Sequence, residues 1–264
     1  MSVRPGVAGP VVLVGGGEHR QPCVPIDRWI LERVGRPRAR VAVVPAASTA
    51  ATLPSAAALA RSYWSALDAH VRIVVPPRTR GSRPDDALAA ADVIVLTGGM
   101  PGRLITALGA SPLWDMVLDR WRAGAVLSGS SAGAIALFAW RLALRVPNPL
   151  RVVPGLGPLD GHVCMPHFDR FVGRHPAGRR WVQATTRRLG GLGTVGIDEA
   201  TALVVDGHHL HVLGHGAVTF VPRTGWHSTP APGVVLRPWS PVAWPGLRER
   251  STSRARIREL ALDA

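Results

Sequence analysis

The stretch that decides the fold is Ala125-Val126-Leu127-Ser128-Gly129-Ser130-Ser131-Ala132-Gly133-Ala134-Ile135-Ala136-Leu137. A short apolar run enters the Gly-x-Ser-x-Gly pattern and a run of small, helix-compatible residues leaves it, which is typical of a strand–turn–helix nucleophile elbow. The pattern predicts an exposed Ser131 at the carboxyl end of a strand, where the N–H of Ala132 and the helix N-terminus face developing negative charge. The alternative is a plain packing turn, since small residues flank many strand–helix turns; the flanking runs favour the nucleophile.

Four more short apolar runs precede turns or breakers: Val11–Val14, Val41–Val44, Val71–Val75 and Val93–Leu96. Between the runs lie helix-compatible stretches: Ile26–Val34, Ser55–Ala69, Pro84–Ala90, Gly102–Leu108 and Pro112–Ala123. Continuous Val/Ile runs that alternate with helices indicate parallel strands buried on both faces. The prediction is therefore an α/β protein with a three-layer, doubly wound, mostly parallel sheet.

The pattern changes after Leu137. Arg145–Gly161 is rich in proline and glycine and is predicted to be a crossing loop, and Arg174–Leu189 is predicted to be a helix. From Gly193 onward the pattern is antiparallel: Thr201–Val205 and Leu210–Leu213 flank an Asp-Gly turn signal, and another strand follows at Ala217–Val221. We expect one α/β hydrolytic domain over residues 1–245 with this antiparallel extension, and an arginine-rich helix or tail over 246–264.

The charge composition separates several classes of function. The formal net charge is +14, and all 31 basic residues are arginine. The arginines are scattered, and the lack of lysine indicates a genomic bias towards arginine, so nucleic-acid binding is disfavoured. It stays open as a role of the arginine-rich end. Without lysine, P-loop NTPases, Schiff-base enzymes and lysine-activated serine hydrolases are excluded.

Compartment and cofactors are predicted from what the sequence lacks. No segment has the form of a signal peptide or approaches the ~18 consecutive apolar residues of a membrane span. The two cysteines, Cys23 and Cys164, form neither a metal-ligand pattern nor a disulfide framework. We expect a cytoplasmic protein with no membrane partner, metal or organic cofactor.

A nucleophilic serine needs a base and a third group that orients the base. Among ten histidines, His167 in Met165-Pro166-His167-Phe168-Asp169-Arg170 is the most suggestive. The adjacent carboxylates Asp198 and Glu199 precede a strong β pattern, and the residues alone do not decide between a solvated turn and a functional pair. Paired glycines after strands, at 98–99 and 15–17, allow close backbone approach to a ligand. The run Gly15-Gly16-Gly17 is also compatible with a phosphate cradle.

In this order, the motifs resemble a known family. The set comprises Gly15-Gly16-Gly17, Thr97-Gly98-Gly99, Gly129-Ser130-Ser131-Ala132-Gly133, Pro166-His167-Phe168 and Gly196-Ile197-Asp198-Glu199-Ala200-Thr201-Ala202. It is similar to the serine peptidases that include dipeptidase E (aspartyl dipeptidase) and cyanophycinase, over roughly residues 10–215. The resemblance implies a class I glutamine amidotransferase-like, flavodoxin-like fold.

The resemblance also implies roles for single residues. Ser131 matches the nucleophile, His167 the general base and Glu199 the acid that orients the histidine. The N–H groups of Gly99 and Ala132 match the oxyanion-hole donors. The implied reaction is hydrolysis of a small peptide or isopeptide through an acyl-enzyme, with no cofactor and no metal.

Family members favour aspartyl or β-aspartyl groups, which need a cation near the scissile bond. Arg103, Arg170 and Arg174 are the candidates for substrate binding, because arginine can pair bidentately with a carboxylate. Association of the chain into a homodimer also stays open.

Two features depart from the family pattern. Met100-Pro101 stands where a polar residue usually follows the paired glycines, and no carboxylate lies in the Val146–Pro149 stretch, where some members have one. The departures leave an alternative function open: a catalytically altered or non-catalytic member of the same fold with a binding or regulatory role.

Overall fold

The computed structural model describes residues 8–76, 86–143, 151–174, 177–207, 209–221, 234–236 and 242–243. The predicted arginine-rich segment 246–264 lies outside the described residues. Within the described part, the helices are α1 (Val24–Val34), α2 (Leu53–Ala66), α3 (Asp86–Ala89), α4 (Pro101–Gly109), α5 (Leu113–Arg122), α6 (Ala132–Ala136), α7 (Phe168–Arg174) and α8 (Gly178–Thr186). A proline at the first or second position of α1, α2 and α4 favours the start of each helix. The N–H groups of a helix's first turn have no acceptor within the helix, so the proline, which lacks an N–H, costs no hydrogen bond there.

The strands are β1 (Val11–Val14), β2 (Arg40–Val44), β3 (His70–Ile73), β4 (Val93–Leu96), β5 (Val126–Ser130), β6 (Trp140–Ala143), β7 (Arg151–Pro154), β8 (His162–Pro166), β9 (Gly193–Ile197), β10 (Thr201–Asp206), β11 (His209–Gly214), β12 (Val218–Val221), β13 (Val234–Leu236) and β14 (Val242–Ala243). The main sheet has the order β14-β11-β10-β1-β5-β4-β2-β3. In the part of the sheet with the order β1-β5-β4-β2-β3, neighbouring strands are parallel. Strands β10, β11 and β14 extend the sheet beyond β1, and each is antiparallel to its neighbours. The predicted mostly parallel sheet with an antiparallel extension is confirmed.

Alternate residues of the parallel strands face two different cores. In β1, Leu13 belongs to a buried cluster with Leu104 and Trp114 of α4 and α5, whereas Val12 belongs to one with Ile26 of α1. Because side chains alternate across a strand, strands covered by helices on both faces are apolar at every position. This confirms the three-layer arrangement.

The chain after α6 differs from the prediction. Within the predicted crossing loop Arg145–Gly161, strand β7 pairs antiparallel with β6 as a separate two-stranded sheet. Neighbouring valines at 152 and 153 favour this strand despite the prolines and glycines around it.

The predicted helix Arg174–Leu189 is confirmed in part by α8 (Gly178–Thr186), but it begins later than predicted. Arg174 ends α7, and a second helix, α8, begins at Gly178. The sequence has Pro176 between the two helices, and proline disfavours a helical conformation at the residue before it.

A second sheet of order β13-β12-β9-β8 lies beside the first. Its strands β8 and β9 are parallel, so the region from Gly193 is not purely antiparallel as predicted. The predicted hairpin is confirmed, with Asp206 of β10 opposite His209 of β11. Within the described residues, no helix is both long enough and apolar enough to cross a membrane.

The sheet order places three loops side by side. Strands β1, β5 and β4 are parallel neighbours, so the segments that follow their carboxyl ends meet at one edge. Binding sites of open α/β sheets form at this edge. Parallel strands β8 and β9 of the second sheet bring the segments of His167 and Glu199 to the same place.

Candidate active site

Ser131 lies at the turn between β5 and α6 in a strained backbone conformation, with φ 49° and ψ −106°. Its N–H donates to the carbonyl oxygen of Val14 at 2.9 Å. The flanking glycines are needed for space, since a Cβ on Gly133 would lie 2.2 Å from the carbonyl oxygen of Leu96, and one on Gly129 would lie 2.6 Å from the backbone of Gly133. Strain of this kind persists only where the surrounding structure enforces it, and it is common at functional sites.

His167 lies between β8 and α7 and contacts both other candidate catalytic residues. Its Nε2 is 2.9 Å from Ser131 Oγ, and its Nδ1 is 2.6 Å from Glu199 Oε1. Because an ionised carboxylate can only accept, the neutral imidazole carries its proton on Nδ1 and leaves Nε2 to accept from the serine hydroxyl. The backbone N–H of His167 donates to the carbonyl oxygen of Gly15 at 2.8 Å.

The structure distinguishes between the adjacent carboxylates. Glu199 faces His167, and its second oxygen, Oε2, accepts from Arg170 Nη2 at 2.5 Å. Asp198 points away and accepts the N–H of Ala217 at 2.8 Å. Burial raises the pKa of Asp198, against the lowering effect of that hydrogen bond.

The third acidic residue, Asp169, accepts the backbone N–H of Glu199 through Oδ1 at 2.9 Å. Asp169 therefore holds the segment of Glu199. The imidazole nitrogens contact Ser131 and Glu199 instead.

The two predicted oxyanion donors lie beside the serine. Gly99 has φ +133°, and a Cβ there would lie 2.6 Å from the carbonyl oxygen of Ala47. Among the described residues, neither the N–H of Gly99 nor that of Ala132 donates to another protein group. Both N–H groups are therefore available to a ligand.

The glycine loop after β1, Gly15-Gly16-Gly17, contacts the segments of His167 and Glu199. Gly16 has φ +135°, and a Cβ there would lie 2.2 Å from Cε1 of His167. The carbonyl oxygen of Gly16 accepts the N–H of Ala200 at 3.0 Å, next to Glu199. The close approach that these glycines allow is to the imidazole of this chain.

The candidate catalytic residues share one cavity of about 550 Å³. Its lining includes Ser131, His167 and Glu199 together with Gly99, and two arginines, Arg20 and Arg170. Sequence reasoning missed Arg20, and also Glu18, two residues before it in the chain. The signal was their position directly after β1, at the edge where the neighbouring elbow ends.

The other predicted arginines lie elsewhere. Arg103 is on α4 and lines a neighbouring cavity with Ala46 and Thr106. Arg174 ends α7, and its side chain lies outside the part of the chain that the structure describes. Of the two predicted substrate contacts whose side chains the structure describes, Arg170 lines the cavity of Ser131 and Arg103 does not.

Several ionisable groups near the glycine loop after β1 are buried. Cys23 Sγ is 3.1 Å from the carbonyl oxygen of Gly17, and burial raises the pKa of this thiol to about 12. Burial also raises the pKa of Asp27 to about 7, although the Tyr63 hydroxyl donates to it at 2.6 Å. Cys164 is buried and free. In the described ranges, no group of three or more His, Cys, Asp or Glu side chains is arranged to hold a metal ion.

Comparisons with known proteins agree with this fold. The family model of peptidase family S51 matches residues 11–213. A cyanophycinase from Nostoc sp. is 30% identical over 239 residues, which cover 85% of this chain and 77% of that protein. The uncharacterized peptidase YgaJ of Bacillus subtilis is 30% identical over 173 residues, covering 63% of this chain and 71% of that one.

A solved structure of a peptidase from an acI-B1 actinobacterium has the same fold, with a TM-score of 0.73 at 22% identity, covering 91% of this chain and 99% of that one. The family match spans β1 to β11, so it includes every residue of the candidate site described above. On the extent of this match and the identity to the curated relatives, the chain belongs to peptidase family S51.

Proposed function

We propose that this peptidase is a serine hydrolase that cleaves a small peptide or isopeptide bond with a Ser131–His167–Glu199 triad. The observation that carries the proposal is the continuous set of contacts from Ser131 Oγ through the imidazole to Glu199, at 2.9 and 2.6 Å. Both distances are those of a nucleophile–base pair and of an oriented base.

The reaction follows from the direction of these hydrogen bonds. Ser131 Oγ attacks the scissile carbonyl carbon, while His167 Nε2 takes the hydroxyl proton. The imidazolium then gives that proton to the leaving amine, and an ester to Ser131 remains. Water, deprotonated by the same imidazole, hydrolyses the ester and regenerates the serine. Glu199 holds the Nδ1–H tautomer and stabilises the imidazolium.

The N–H groups of Gly99 and Ala132 bind the oxyanion in this proposal. Their support is that both N–H groups are unused by the described protein and lie beside Ser131. One such donor is worth roughly 3–4 kcal/mol in the transition state.

The proposed substrate carries a carboxylate next to the scissile bond, as in aspartyl or β-aspartyl groups. The support is the pair Arg20 and Arg170 in the cavity wall, together with the relationship to a cyanophycinase. Arg170 already pairs with Glu199 through one nitrogen, and its side chain is 57% exposed, so its other N–H groups remain accessible. A contact from Arg103 would require a substrate that reaches into the neighbouring cavity.

The alternative is a non-catalytic or altered member of the fold. Met100, which stands in place of the family's polar residue, is 58% exposed, so it changes the surface that a substrate would meet. The hydrogen bonds of the triad do not involve Met100. We therefore assign the departure to substrate choice.

The test combines labelling with turnover. A fluorophosphonate should label Ser131, identified by mass spectrometry, and the protein should hydrolyse α- or β-aspartyl dipeptides faster than alanyl dipeptides. Ser131→Ala should abolish both reactions in a folded protein. Ser130→Ala, the matched change one residue earlier, should still be labelled at Ser131 with a far smaller loss, because it removes only the hydrogen bond to Glu18 and leaves the nucleophile in place. Full hydrolysis by Ser131→Ala would refute the assignment.

A further inference from the structure

Glu18 joins two loops of the candidate site and belongs to none of the predicted roles. It follows the glycine loop after β1 and lines the same cavity as Ser131. Its Oε1 accepts the backbone N–H of Gly98 at 2.7 Å, and its Oε2 accepts the hydroxyl of Ser130 at 2.7 Å. One carboxylate thus binds a donor from the segment after β4 and a donor from the end of β5.

Each donor lies within two residues of one proposed oxyanion donor. Gly98 is followed by Gly99, and Ser130 is separated from Ala132 only by the nucleophile. The packing is close, since a Cβ on Gly98 would lie 2.5 Å from Glu18 Oε1 and 3.3 Å from the Cβ of Ser131. The carboxylate therefore lies between the two chain segments whose separation defines the oxyanion hole.

Gly99 needs such support because glycine is conformationally free. Met100, the residue after Gly99, is held because its N–H donates to the carbonyl oxygen of Ala47 at 3.0 Å. The residue before Gly99 is held by Glu18. With both neighbours fixed, the peptide that carries the Gly99 N–H has little freedom to rotate away from the oxyanion.

We propose that Glu18 is a positioning residue of the oxyanion hole, which holds the Gly99 and Ala132 N–H groups at the spacing that the tetrahedral intermediate requires. The inference rests on the proposed function. A carboxylate has two oxygens that can each accept a hydrogen bond, which suits a group that fixes two loops. Misplacement of a reacting group by ~1 Å costs about 100-fold in rate.

The negative charge itself does not favour the reaction, because a carboxylate near an oxyanion repels it. The proposal therefore assigns the effect to reach and hydrogen bonding. Glu18→Gln keeps the reach: its carbonyl oxygen can accept from Gly98, and its NH₂ can donate to the hydroxyl oxygen of Ser130. Glu18→Asp keeps the charge but is one methylene shorter and cannot hold both donors.

The experiment compares these two variants with the wild type and with Glu32→Ala, which removes an exposed acid of α1 outside the cavity. The readouts are kcat and KM on an aspartyl dipeptide and the second-order rate of fluorophosphonate labelling at Ser131, which needs the same oxyanion hole. We expect Glu18→Asp to lose about 10- to 100-fold in kcat and in labelling rate with KM within ~3-fold. Glu18→Gln should stay within ~3-fold of wild type in every readout, and Glu32→Ala should not change.

Three results would overturn the proposal. If Glu18→Gln loses as much as Glu18→Asp, the charge matters and the group binds a substrate cation. If Glu18→Asp retains wild-type rates while Ser131 is labelled normally, the positioning role fails and the serine-hydrolase function stands. If the wild type neither hydrolyses the peptides nor labels at Ser131, both proposals fail. If Glu18→Asp does not fold, a large loss in a folded Glu18→Gln still refutes the positioning role.

Discussion

Glu199→Gln tests the assignment of the acid most sharply, because the structure determines how the new amide must lie. Glu199 accepts from Arg170 Nη2 through one oxygen and from His167 Nδ1 through the other. Arginine is only a donor, so the single oxygen of the glutamine will face Arg170 and its NH₂ will face His167. An NH₂ at that position donates to Nδ1, so the imidazole proton moves from Nδ1 to Nε2. The protonated Nε2 can no longer accept a hydrogen bond from the Ser131 hydroxyl.

The expected magnitude follows from this tautomer change. Replacing the acid of a serine triad by its amide costs up to about 10⁴ in kcat in the best-studied case, through the same wrong tautomer. We expect a loss in kcat between roughly 10² and 10⁴, since the imidazole can still reach the correct tautomer at a cost. KM should change little, because the imidazole does not bind the ground-state substrate strongly.

Arg170 supplies an internal check on this reasoning. With Arg170→Met added, the glutamine is free to rotate its oxygen towards Nδ1, and the double variant should recover about tenfold in kcat over Glu199→Gln. Arg170→Met alone should have a lower kcat than the wild type. The same change would therefore lower kcat in the wild type and raise it in Glu199→Gln, which shows that the two residues are coupled.

The assay is kcat and KM on one aspartyl dipeptide, with circular dichroism and thermal unfolding to verify the fold of each variant. Asp198→Asn is the matched control: it keeps an oxygen that can accept the N–H of Ala217, and its kcat should change by less than about tenfold. The opposite ranking would move the role to Asp198. Near-normal rates in both would mean that another carboxylate, such as Asp169, serves the histidine or that His167 is not the base.

Three further outcomes are expected. Ser131→Ala and His167→Ala should each lower kcat by several orders of magnitude with the double variant little worse, since members of a triad act as a unit; losses that multiply would contradict the triad. Gly16→Ala should lower kcat tenfold or more, because the added Cβ would lie 2.2 Å from the imidazole of His167. Gly190→Ala is the control: Gly190 has φ +60° and nothing within 4 Å of an added Cβ, so the change should reduce thermal stability without that loss in kcat. Equal effects of the two changes on kcat would refute the steric argument. Burial raises the pKa of Asp27 to about 7, so the folded protein binds this proton more tightly than the unfolded chain and loses stability as pH rises from ~4 to ~7. Asp27→Asn should flatten that dependence in urea unfolding at pH 5 and pH 8, and an unchanged dependence would exclude Asp27 as its source.

The parallel strands and the elbow could be predicted because their signals are local. Val11–Val14 and Val93–Leu96 are apolar at every position, and both strands are buried on both faces in the structure. The glycines at 129 and 133 were required by the tightness of the turn, and each closely approaches backbone atoms. Short runs of this kind contain the information that decides their own conformation.

The segments that were predicted wrongly depend on distant partners. Strand β7 is stabilised by pairing with β6, which no pattern within Arg145–Gly161 could indicate. Parallel strands β8 and β9 belong to a second sheet, and this division of the sheets is not visible in the alternation of apolar residues. The composition of a segment does not indicate which strands it will pair with.

The candidate site shows the same limit. From the residues alone, Asp198 and Glu199 were equivalent, and only the argument that adjacent side chains in an extended segment point to opposite sides required that one face the histidine. Which one does so depends on Ala217 and His167, which lie in other elements. The resemblance to the family supplied the choice that spacing could not.

The loop after β1 connects these separate parts, and this explains why its role was missed. The carbonyl oxygens of Gly15 and Gly16 accept the N–H groups of His167 and Ala200, and Glu18 binds Gly98 and the end of β5. The Glu18–Ser130 contact spans 112 positions of the chain, so no local pattern could reveal it. Three residues of this loop, Gly15, Gly16 and Glu18, thus contact the segments of the base, the acid and both proposed oxyanion donors. Changes in this loop should therefore lower kcat more than they lower stability, because they move the reacting groups relative to one another while the buried strands beneath stay packed.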